Sequence, residues 1–165
     1  MKRFYLAQAN VARMRAPLED PIMEGFRSQL GTINALADAS PGFVWRLQTE
    51  DGDATGVRAL PDSLVIFNMS VWESLEALHA YVYQSGHLTV LRARRGWFEP
   101  YEGPSLVLWW IPEGHVPTVS EAVAKLQFLK DKGPTADAFT FRTFFPAPGA
   151  TEGGAPEIDA EFCRT

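Results

Sequence analysis

Alternating apolar and polar positions near the start of the chain predict a β-strand over residues 4–14. In FYLAQANVARM, every second residue falls on the same side of an extended chain, so the pattern has the period of two that is typical of a strand. Similar runs predict further strands at 43–49, 63–71, 105–111 and 139–145. The run SLVLWWI (105–111) is apolar on both faces, which indicates a central strand or one covered on both sides.

Helical spacing of apolar residues predicts that the segments between these strands are helices. Asp20-Pro21 supplies an N-cap and a proline at the first helical position. Thr118 and Glu121 form a capping box. The predicted helices are 21–38, a segment starting near Trp72 or Ser74, a segment at 87–98 after a break at Gly86, and a segment that opens at Thr118 and ends at Gly133-Pro134.

The resulting order, β-α-β-β-α-β followed by one more helix and strand, predicts an α+β fold. We expect a ferredoxin-like antiparallel sheet with helices on one face and a C-terminal helix-strand extension. Residues 1–145 are predicted to form this single domain. Residues 146–165 are rich in Pro and Gly and are predicted to form a tail.

Composition and charge narrow the range of partners. The 165 residues carry a formal net charge of -5, which argues against nucleic acid because phosphate binding needs a broad basic face. The basic run Arg92–Arg95 is too short to change this. The single cysteine, Cys163, cannot form an internal disulfide, and no Cys/His spacing indicates a zinc site. The N-terminus has neither a signal-peptide nor a membrane-span pattern. We therefore expect a soluble, cytoplasmic protein.

Polar residues inside the predicted strands are the first indication of a function. Gln8 and Asn10 share one face of the first strand, Asn68 and Ser70 share one face of the third, and Arg46 lies in the second. We expect them on the face of the sheet that the helices leave bare. That face is either exposed to solvent, or it is a ligand pocket that combines apolar walls with a few hydrogen-bonding groups. Two subunits that closed their bare faces together would bury these groups.

A family resemblance covers most of the chain. The segments VWESLEALHAYVYQSGHLTVLRARRGWFEP (71–100) and PSLVLWWIPEGHVPTVSEAVAKLQFLKDKGP (104–134) resemble DUF3291, a domain of unknown function. Proteins of this type resemble the dimeric α+β barrel superfamily, which includes antibiotic-biosynthesis monooxygenases. The strand-to-helix passage MSVWESLEAL is similar to the pattern of those monooxygenases. The resemblance implies a homodimer with one pocket per subunit between sheet and helices, but it implies no particular reaction.

A stripe on the predicted helix at 87–98 supplies the candidate catalytic groups. His87, Leu91, Arg94 and Phe98 follow one another at helical spacing. A histidine beside a guanidinium can act as a general base, with the guanidinium orienting an oxyanion. Alternatively, His87 is a hydrogen-bonded residue that fixes the helix bend. Asn10 completes the predicted catalytic set, because the resemblance implies an asparagine near bound oxygen or substrate.

Five further residues are predicted to bind substrate. Arg46 and Asn68 offer polar anchors, and the tryptophans offer apolar walls or, alternatively, core or dimer-interface contacts. His115 lies in a loop at a strand end, where it either serves the site or bonds to backbone. The predicted substrate-binding residues are Trp45, Arg46, Asn68, Trp110 and His115.

We expect no cofactor and no metal. Haem-degrading relatives imply an axial histidine near Leu91 or Arg92, and His87 comes about one turn too early for that role. The leading hypothesis is a cofactor-independent enzyme that oxygenates, isomerises or cyclises an enolisable or polycyclic small molecule. The alternative is a non-catalytic dimeric barrel that binds a metabolite or serves assembly, and a haem-binding monooxygenase is the least favoured hypothesis.

Overall fold

Strands from the whole length of the domain form one antiparallel sheet in the computed structural model, which describes residues 2–84 and 92–150. The strands in those ranges are β1 (Phe4–Met14), β2 (Phe43–Arg46), β3 (Val65–Trp72), β4 (Phe98–Glu99) and β5 (Leu106–Pro112). β1 lies in the middle. It pairs with β3 on one side, and with β5 and then β4 on the other, while β2 pairs with the far side of β3.

The helices join these strands in the predicted order. Within residues 2–84 and 92–150 the α-helices are α1 (Glu24–Arg27), α2 (Leu30–Asp38), α3 (Leu75–Gln84) and α4 (Val119–Lys132). Because α1 and α2 follow β1 and α3 follows β3, the domain has the β-α-β-β-α-β order with the spatial order β2-β3-β1-β5. The predicted ferredoxin-like α+β fold with a C-terminal helix is therefore confirmed. None of the helices in the described ranges is long and apolar enough to span a membrane.

The two faces of the sheet are covered by different helices. Face A is the side that carries Leu6, Gln8 and Asn10, and its apolar residues pack with Ala37 of α2 and with Leu75 and Leu78 of α3. Face B carries the alternate residues. Its buried residues from β1, β3 and β5 pack against α4 through Ala122, Leu126 and Leu129. The C-terminal helix thus closes the face that a plain ferredoxin-like sheet leaves bare.

The polar strand residues lie on the face opposite to the predicted one. Gln8, Asn10, Asn68 and Ser70 are on face A, the side of the sheet on which α2 and α3 pack, and not on the opposite face. The period of two identifies residues that share a face, but it does not tell which layer will cover that face. Face B is apolar at position after position, so it is the face that needs α4 to bury it.

The turn between α2 and β2 requires glycine. Gly42 has a positive φ of 79°, and a Cβ there would lie 2.5 Å from the Cβ of Ala77. Its carbonyl also accepts a hydrogen bond from the Glu73 N–H. This close approach sets the start of β2 against α3.

The predicted single helix at 21–38 is divided: a 3₁₀ turn at Pro21–Met23 leads into α1, and residues 28–29 separate α1 from α2.

Two further sequence predictions of secondary structure are wrong. The predicted strand at 139–145 forms only an isolated bridge between Leu108 and Phe139, because Thr140 and Thr143 hydrogen-bond to one another in a turn. Its aromatic residues pack singly against face A instead. The C-terminal part of the predicted helix at 87–98 contains a 3₁₀ turn at Arg94–Gly96 followed by β4. Phe98 pairs with Met14, so sheet pairing there outweighs helical propensity.

The predicted division into a domain at 1–145 and a tail at 146–165 stays a prediction. Residues 151–165 lie outside the described residues, as do 85–91, which include His87.

Candidate functional site

Four polar side chains form a row across the two central strands on face A. The register places Gln8 opposite Ser70 and Asn10 opposite Asn68. Directly opposite residues on one face of an antiparallel pair are close neighbours, with Cβ atoms about 5 Å apart. We call Gln8, Asn10, Asn68 and Ser70 the polar row.

One end of the polar row is buried and hydrogen-bonded. The Ser70 hydroxyl oxygen accepts a hydrogen bond from Gln8 Nε2 at 3.0 Å and another from Trp72 Nε1 at 2.8 Å. Gln8 and Ser70 are each 7% exposed, and Trp72 is fully buried. Apolar side chains of Leu6, Leu108 and the α3 residues close this end.

The other end of the polar row is open. Asn10 is half-buried and Asn68 is exposed. Their carboxamide groups make no hydrogen bond to any part of the chain that the structure describes. Each therefore offers two donors and one acceptor to a ligand. The row runs from an exposed carboxamide inward to a buried amide and hydroxyl.

Aromatic residues flank both ends of the row. At the buried end, Trp72 stacks on Tyr81 with ring centroids 4.9 Å apart and an angle of 24° between the planes. Burial raises the pKa of Tyr81 far above the ordinary value of a phenol. At the open end of the sheet, the Phe26 ring packs edge-on against Phe98 with centroids 5.0 Å apart, and it is tilted by 51° to the Trp97 ring at 5.9 Å. The polar row therefore lies between two apolar walls.

Arg94 belongs to the open end of the sheet. It begins the 3₁₀ turn that leads into β4, and β4 pairs with β1 at Arg13 and Met14, beyond Asn10. Its side chain is half-exposed, and its guanidinium makes no ion pair or hydrogen bond within residues 2–84 and 92–150. The predicted partner, His87, lies outside the described residues, so the pairing of His87 with Arg94 stays a prediction.

Arg46 lies beside the polar row, but its guanidinium already makes hydrogen bonds within the protein. It lies opposite Ser70, and its Nε and Nη2 donate to the two Asp38 carboxylate oxygens at 2.7 and 3.2 Å. Its Nη1 donates to the Gly52 carbonyl at 2.7 Å. The side chain is only 13% exposed. These bonds tie the end of α2 to the loop after β2, so a substrate would have to compete with them.

The remaining predicted binding residues lie away from the open end. Trp45 pairs with Val71 and packs with the face B core. Trp110 lies on face A opposite Leu6, and its Nε1 donates to the Phe145 carbonyl at 2.8 Å. His115 follows β5 at the end where Pro112 pairs with Phe4, six residues and about 20 Å along β1 from Asn10. The structure brings Asn10 and Asn68 together and keeps these three apart from them.

His115 instead joins a second network at the start of α4. Its Nε2 lies 2.8 Å from one Glu121 carboxylate oxygen, and Trp109 Nε1 donates to the other at 2.9 Å. Burial acts to raise the pKa of Glu121, but the hydrogen bonds from His115 and Trp109 outweigh it and hold that pKa below its usual value. The network orients the loop that leads into α4.

An open cleft of about 630 Å³ lies on face B between Leu60–Asp62 and Glu99–Glu102. Arg13 bridges it, donating to Asp62 at 2.8 Å and pairing with Glu99. The backbone N–H of Leu64 and the Arg13 guanidinium lower the pKa of Asp62. Because its cation, Arg13, is already paired with both Asp62 and Glu99, this cleft is a less favourable ligand site than the polar row.

Three residues of the site are not among the site residues that the sequence predicts. The sequence places Gln8 and Ser70 on strands, but only the register shows that they are partners. It predicts a helix start near Trp72 or Ser74, whereas Trp72 is the last residue of β3 and donates to Ser70. The available signal in the sequence is that Asn68, Ser70 and Trp72 occupy every second position, which continues the strand through Trp72 and places the three side chains on one face.

Comparison with known proteins shows the family. The model described as "Domain of unknown function (DUF3291)" matches residues 5–155. The chain belongs to the DUF3291 family. This match confirms the resemblance that the sequence motifs indicated. Curated proteins gave no match to this DUF3291 chain.

Solved structures similar to this DUF3291 chain include two oxygenase-type proteins. A putative antibiotic biosynthesis monooxygenase from Nitrosomonas europaea is 15% identical, with 70% of this chain and 93% of that chain covered and a TM-score of 0.42. SnoaB, a cofactor-independent oxygenase from Streptomyces nogalater, is 20% identical over 71% of this chain and 98% of that chain, with a TM-score of 0.40. The family description names no activity, so the chemistry of this DUF3291 chain has to be argued from its site.

Proposed function

We propose that this chain is a small-molecule enzyme of the antibiotic-biosynthesis-monooxygenase-like type, and that its substrate binds at the open end of the polar row. The observation that carries the proposal is the pair Asn10 and Asn68. Two facing carboxamides with no hydrogen-bond partner in the described chain sit beside apolar walls, and that combination is typical of a ligand site.

Carboxamide groups suit a substrate that forms an enolate. An N–H donor placed at a developing oxyanion stabilises the transition state more than the ground state, and this difference lowers the barrier. In the proposed mechanism Asn10 and Asn68 donate to the enolate oxygen. His87 removes the proton from carbon, and Arg94 supplies positive charge. The role of His87 rests on the sequence prediction alone.

The proposed reaction is cofactor-independent oxygenation, isomerisation or cyclisation of an enolisable or polycyclic substrate. Anthrone is a suitable probe because its CH₂ group lies beside a ring system that stabilises the enolate. Oxygenation converts that CH₂ to a carbonyl: anthrone and O₂ give anthraquinone and water. The reaction can be followed by ultraviolet absorbance and by oxygen consumption.

The test compares Asn10→Ala and Asn68→Ala with the wild type in chelator-treated buffer. Loss of one oxyanion donor typically lowers turnover about 100-fold, so we expect each variant to approach the spontaneous rate of anthrone oxidation. Gln127→Ala is the matched control, since Gln127 is an exposed carboxamide on α4. Wild-type turnover that persisted in both asparagine variants would contradict the proposal.

A second candidate function, ligand binding without catalysis, is favoured by one observation. The four side chains of the polar row do not titrate near neutral pH, and the neighbouring Arg46 is held by Asp38. His87→Ala separates the two functions. An enzyme would keep its fold and its ligand but lose turnover, whereas a binding protein would show no turnover in either form.

The predicted homodimer belongs to the same proposal. Face B, through which two sheets would close into a barrel, is buried by α4 in each chain. A homodimer that keeps α4 docked therefore has to use another surface. Sedimentation velocity of the full chain would measure its mass in solution.

A further inference from the structure

We infer that Gln8 determines specificity at this site, by binding a neutral hydrogen-bonding group of the ligand at the inner end of the polar row. The inference rests on the proposed function, since it assumes that a small molecule enters from the side of Asn10 and Asn68.

The hydrogen-bonding capacity of Gln8 is only partly used. A glutamine amide has two N–H donors and a carbonyl acceptor, and in the described chain Gln8 makes one side-chain hydrogen bond, from Nε2 to Ser70. The residue is 7% exposed. Leaving a buried amide half unsatisfied is costly, so such groups in folded proteins usually have a partner.

This conclusion does not depend on how the amide is oriented. With Nε2 donating one N–H to Ser70, the second N–H and the carbonyl of Gln8 and the Ser70 hydroxyl proton are left without partners among the described residues. With the amide flipped, the Ser70 hydroxyl donates to the Gln8 carbonyl, and both Gln8 N–H groups are left instead. Either orientation leaves hydrogen-bonding capacity that Ser70 and Trp72 cannot satisfy.

Gln8 borders the apolar residues Leu6 and Leu108 on one side, but on the other side its neighbour belongs to the open end of the polar row. That neighbour is Asn10, the next residue on the same face, about 7 Å along the strand; it is half-buried, and its carboxamide makes no hydrogen bond among the described residues. A purely structural network holding Trp72 would need only the bond from Trp72 to Ser70. A ligand that contacts Asn10 can reach Gln8.

The ligand group at Gln8 should be uncharged. Gln8, Ser70, Asn10 and Trp72 are all neutral, and Arg46, the cation opposite Ser70 in the sheet, is already paired with Asp38. Burying a carboxylate or phosphate among neutral partners is far more costly than burying a hydroxyl, carbonyl or carboxamide. The structure therefore favours a planar apolar ligand with a neutral polar substituent.

The experiment uses 1-naphthamide and 1-ethylnaphthalene, which share a ring system and differ in hydrogen bonding, with 1-naphthoate as the charged analogue. Dissociation constants are measured by calorimetry on the full-length wild type and on Gln8→Met, an apolar replacement of similar size. Gln127→Met is the control. A single hydrogen bond changes affinity up to about tenfold. We expect the wild type to prefer 1-naphthamide to both analogues by about tenfold, and Gln8→Met to lose that preference.

Nuclear magnetic resonance supplies a second readout. The indole ¹H–¹⁵N signal of Trp72, assigned with Trp72→Phe, should shift when 1-naphthamide binds to the wild type and much less in Gln8→Met. If Gln8→Met does not fold, Gln8→Leu takes its place.

The outcomes separate this inference from the proposed function. If Gln8→Met keeps the preference while Asn68→Ala abolishes binding, the inference about Gln8 is wrong and the site stands. If wild-type protein binds none of the three compounds, or binds them equally, the inference is likewise overturned. The anthrone assay then decides the proposed function independently.

Discussion

At the scale of single residues, the network at the start of α4 shows how one carboxylate is held by unlike partners. Glu121 accepts from Trp109, contacts His115, and its backbone N–H is capped by Thr118. Trp109 is buried, so its indole N–H needs an acceptor that only Glu121 provides in the described structure. The ionised carboxylate of Glu121 therefore stabilises the fold more than the protonated form.

The pH dependence of stability follows from the lowered pKa of Glu121. Its folded-state pKa lies below the usual value of 4.5, so its stabilisation is fully present above about pH 4.5 and is lost as the pH falls through the folded-state pKa. Because the side chain is 27% exposed, solvent screening limits the effect to about 0.5 kcal/mol.

Urea unfolding of Glu121→Gln and the wild type between pH 3 and pH 7 would measure this effect. We expect the variant to be less stable at neutral pH and the difference to shrink below about pH 4. Glu102→Gln is the control, since Glu102 makes no ion pair or hydrogen bond among the described residues. A difference that stayed constant with pH would show that charge is not the cause.

Arg46 shows the limit of reasoning from residue type. Its position beside a polar strand predicted a substrate anchor, and the strand does place it on face A opposite Ser70. Whether a guanidinium is available, however, depends on Asp38 and Gly52, which belong to other segments. No local pattern around Arg46 contains that information.

At the scale of elements, α4 is the best example of a helix specified by its own sequence. Thr118 has extended backbone angles, and its side chain accepts from the Glu121 N–H at 3.1 Å. Gly133 ends the helix with φ 72°. Both boundaries were predicted from these residues, because caps act within one turn of the helix end.

Removing the N-cap tests how much this end contributes. Thr118→Ala should lower the free energy of unfolding by about 1 kcal/mol, because one N–H at the helix start loses its acceptor. Thr118→Ser should retain most of the stability. Ser120→Ala, an exposed change in the same turn, is the control for helix propensity. Thermal denaturation followed by circular dichroism measures all three, and equal losses in Thr118→Ala and Ser120→Ala would contradict a capping role.

Other elements were decided by their neighbours. The aromatic run at 139–145 has the composition of a strand, but Phe139 makes the only bridge within it to β5 among the described residues. Phe141 and Phe145 fill space against face A and Trp110 as single side chains. High strand propensity is satisfied only if a partner edge runs alongside for several residues.

At the scale of the whole molecule, α4 makes the sheet a layer covered on both sides. Met69, Val107 and Trp109 of face B are almost completely buried, and Leu126 of α4 is part of the same core. Burial of this face within one chain removes the apolar surface that would drive two sheets together.

A charge on the inner side of α4 should expose face B. Leu126→Glu places a carboxylate in an apolar contact, which we expect to cost about 3 kcal/mol or more and to undock the helix. The fluorescence of a dye that binds exposed apolar surface and the sedimentation coefficient would then both increase relative to the wild type. Ala124→Glu, on the exposed side of α4, is the matched control. Unchanged dye binding in Leu126→Glu would mean that α4 is not needed to cover face B.

The sequence by itself determined the fold class, the caps of α4 and the residues that share each strand face. Those features depend on neighbours a few positions apart, so the period of two and the capping residues are sufficient. The tertiary structure alone decided that Gln8 lies opposite Ser70, that Asn10 lies opposite Asn68, and that this row is on the side of the sheet on which α2 and α3 pack. Register and the choice of covering layer depend on the summed burial of all strands and helices, and no single segment carries that sum. For the same reason, three residues with the same predicted role have different surroundings. Asn68 is exposed at the site, Arg46 is paired with Asp38, and Trp45 packs into the core on face B.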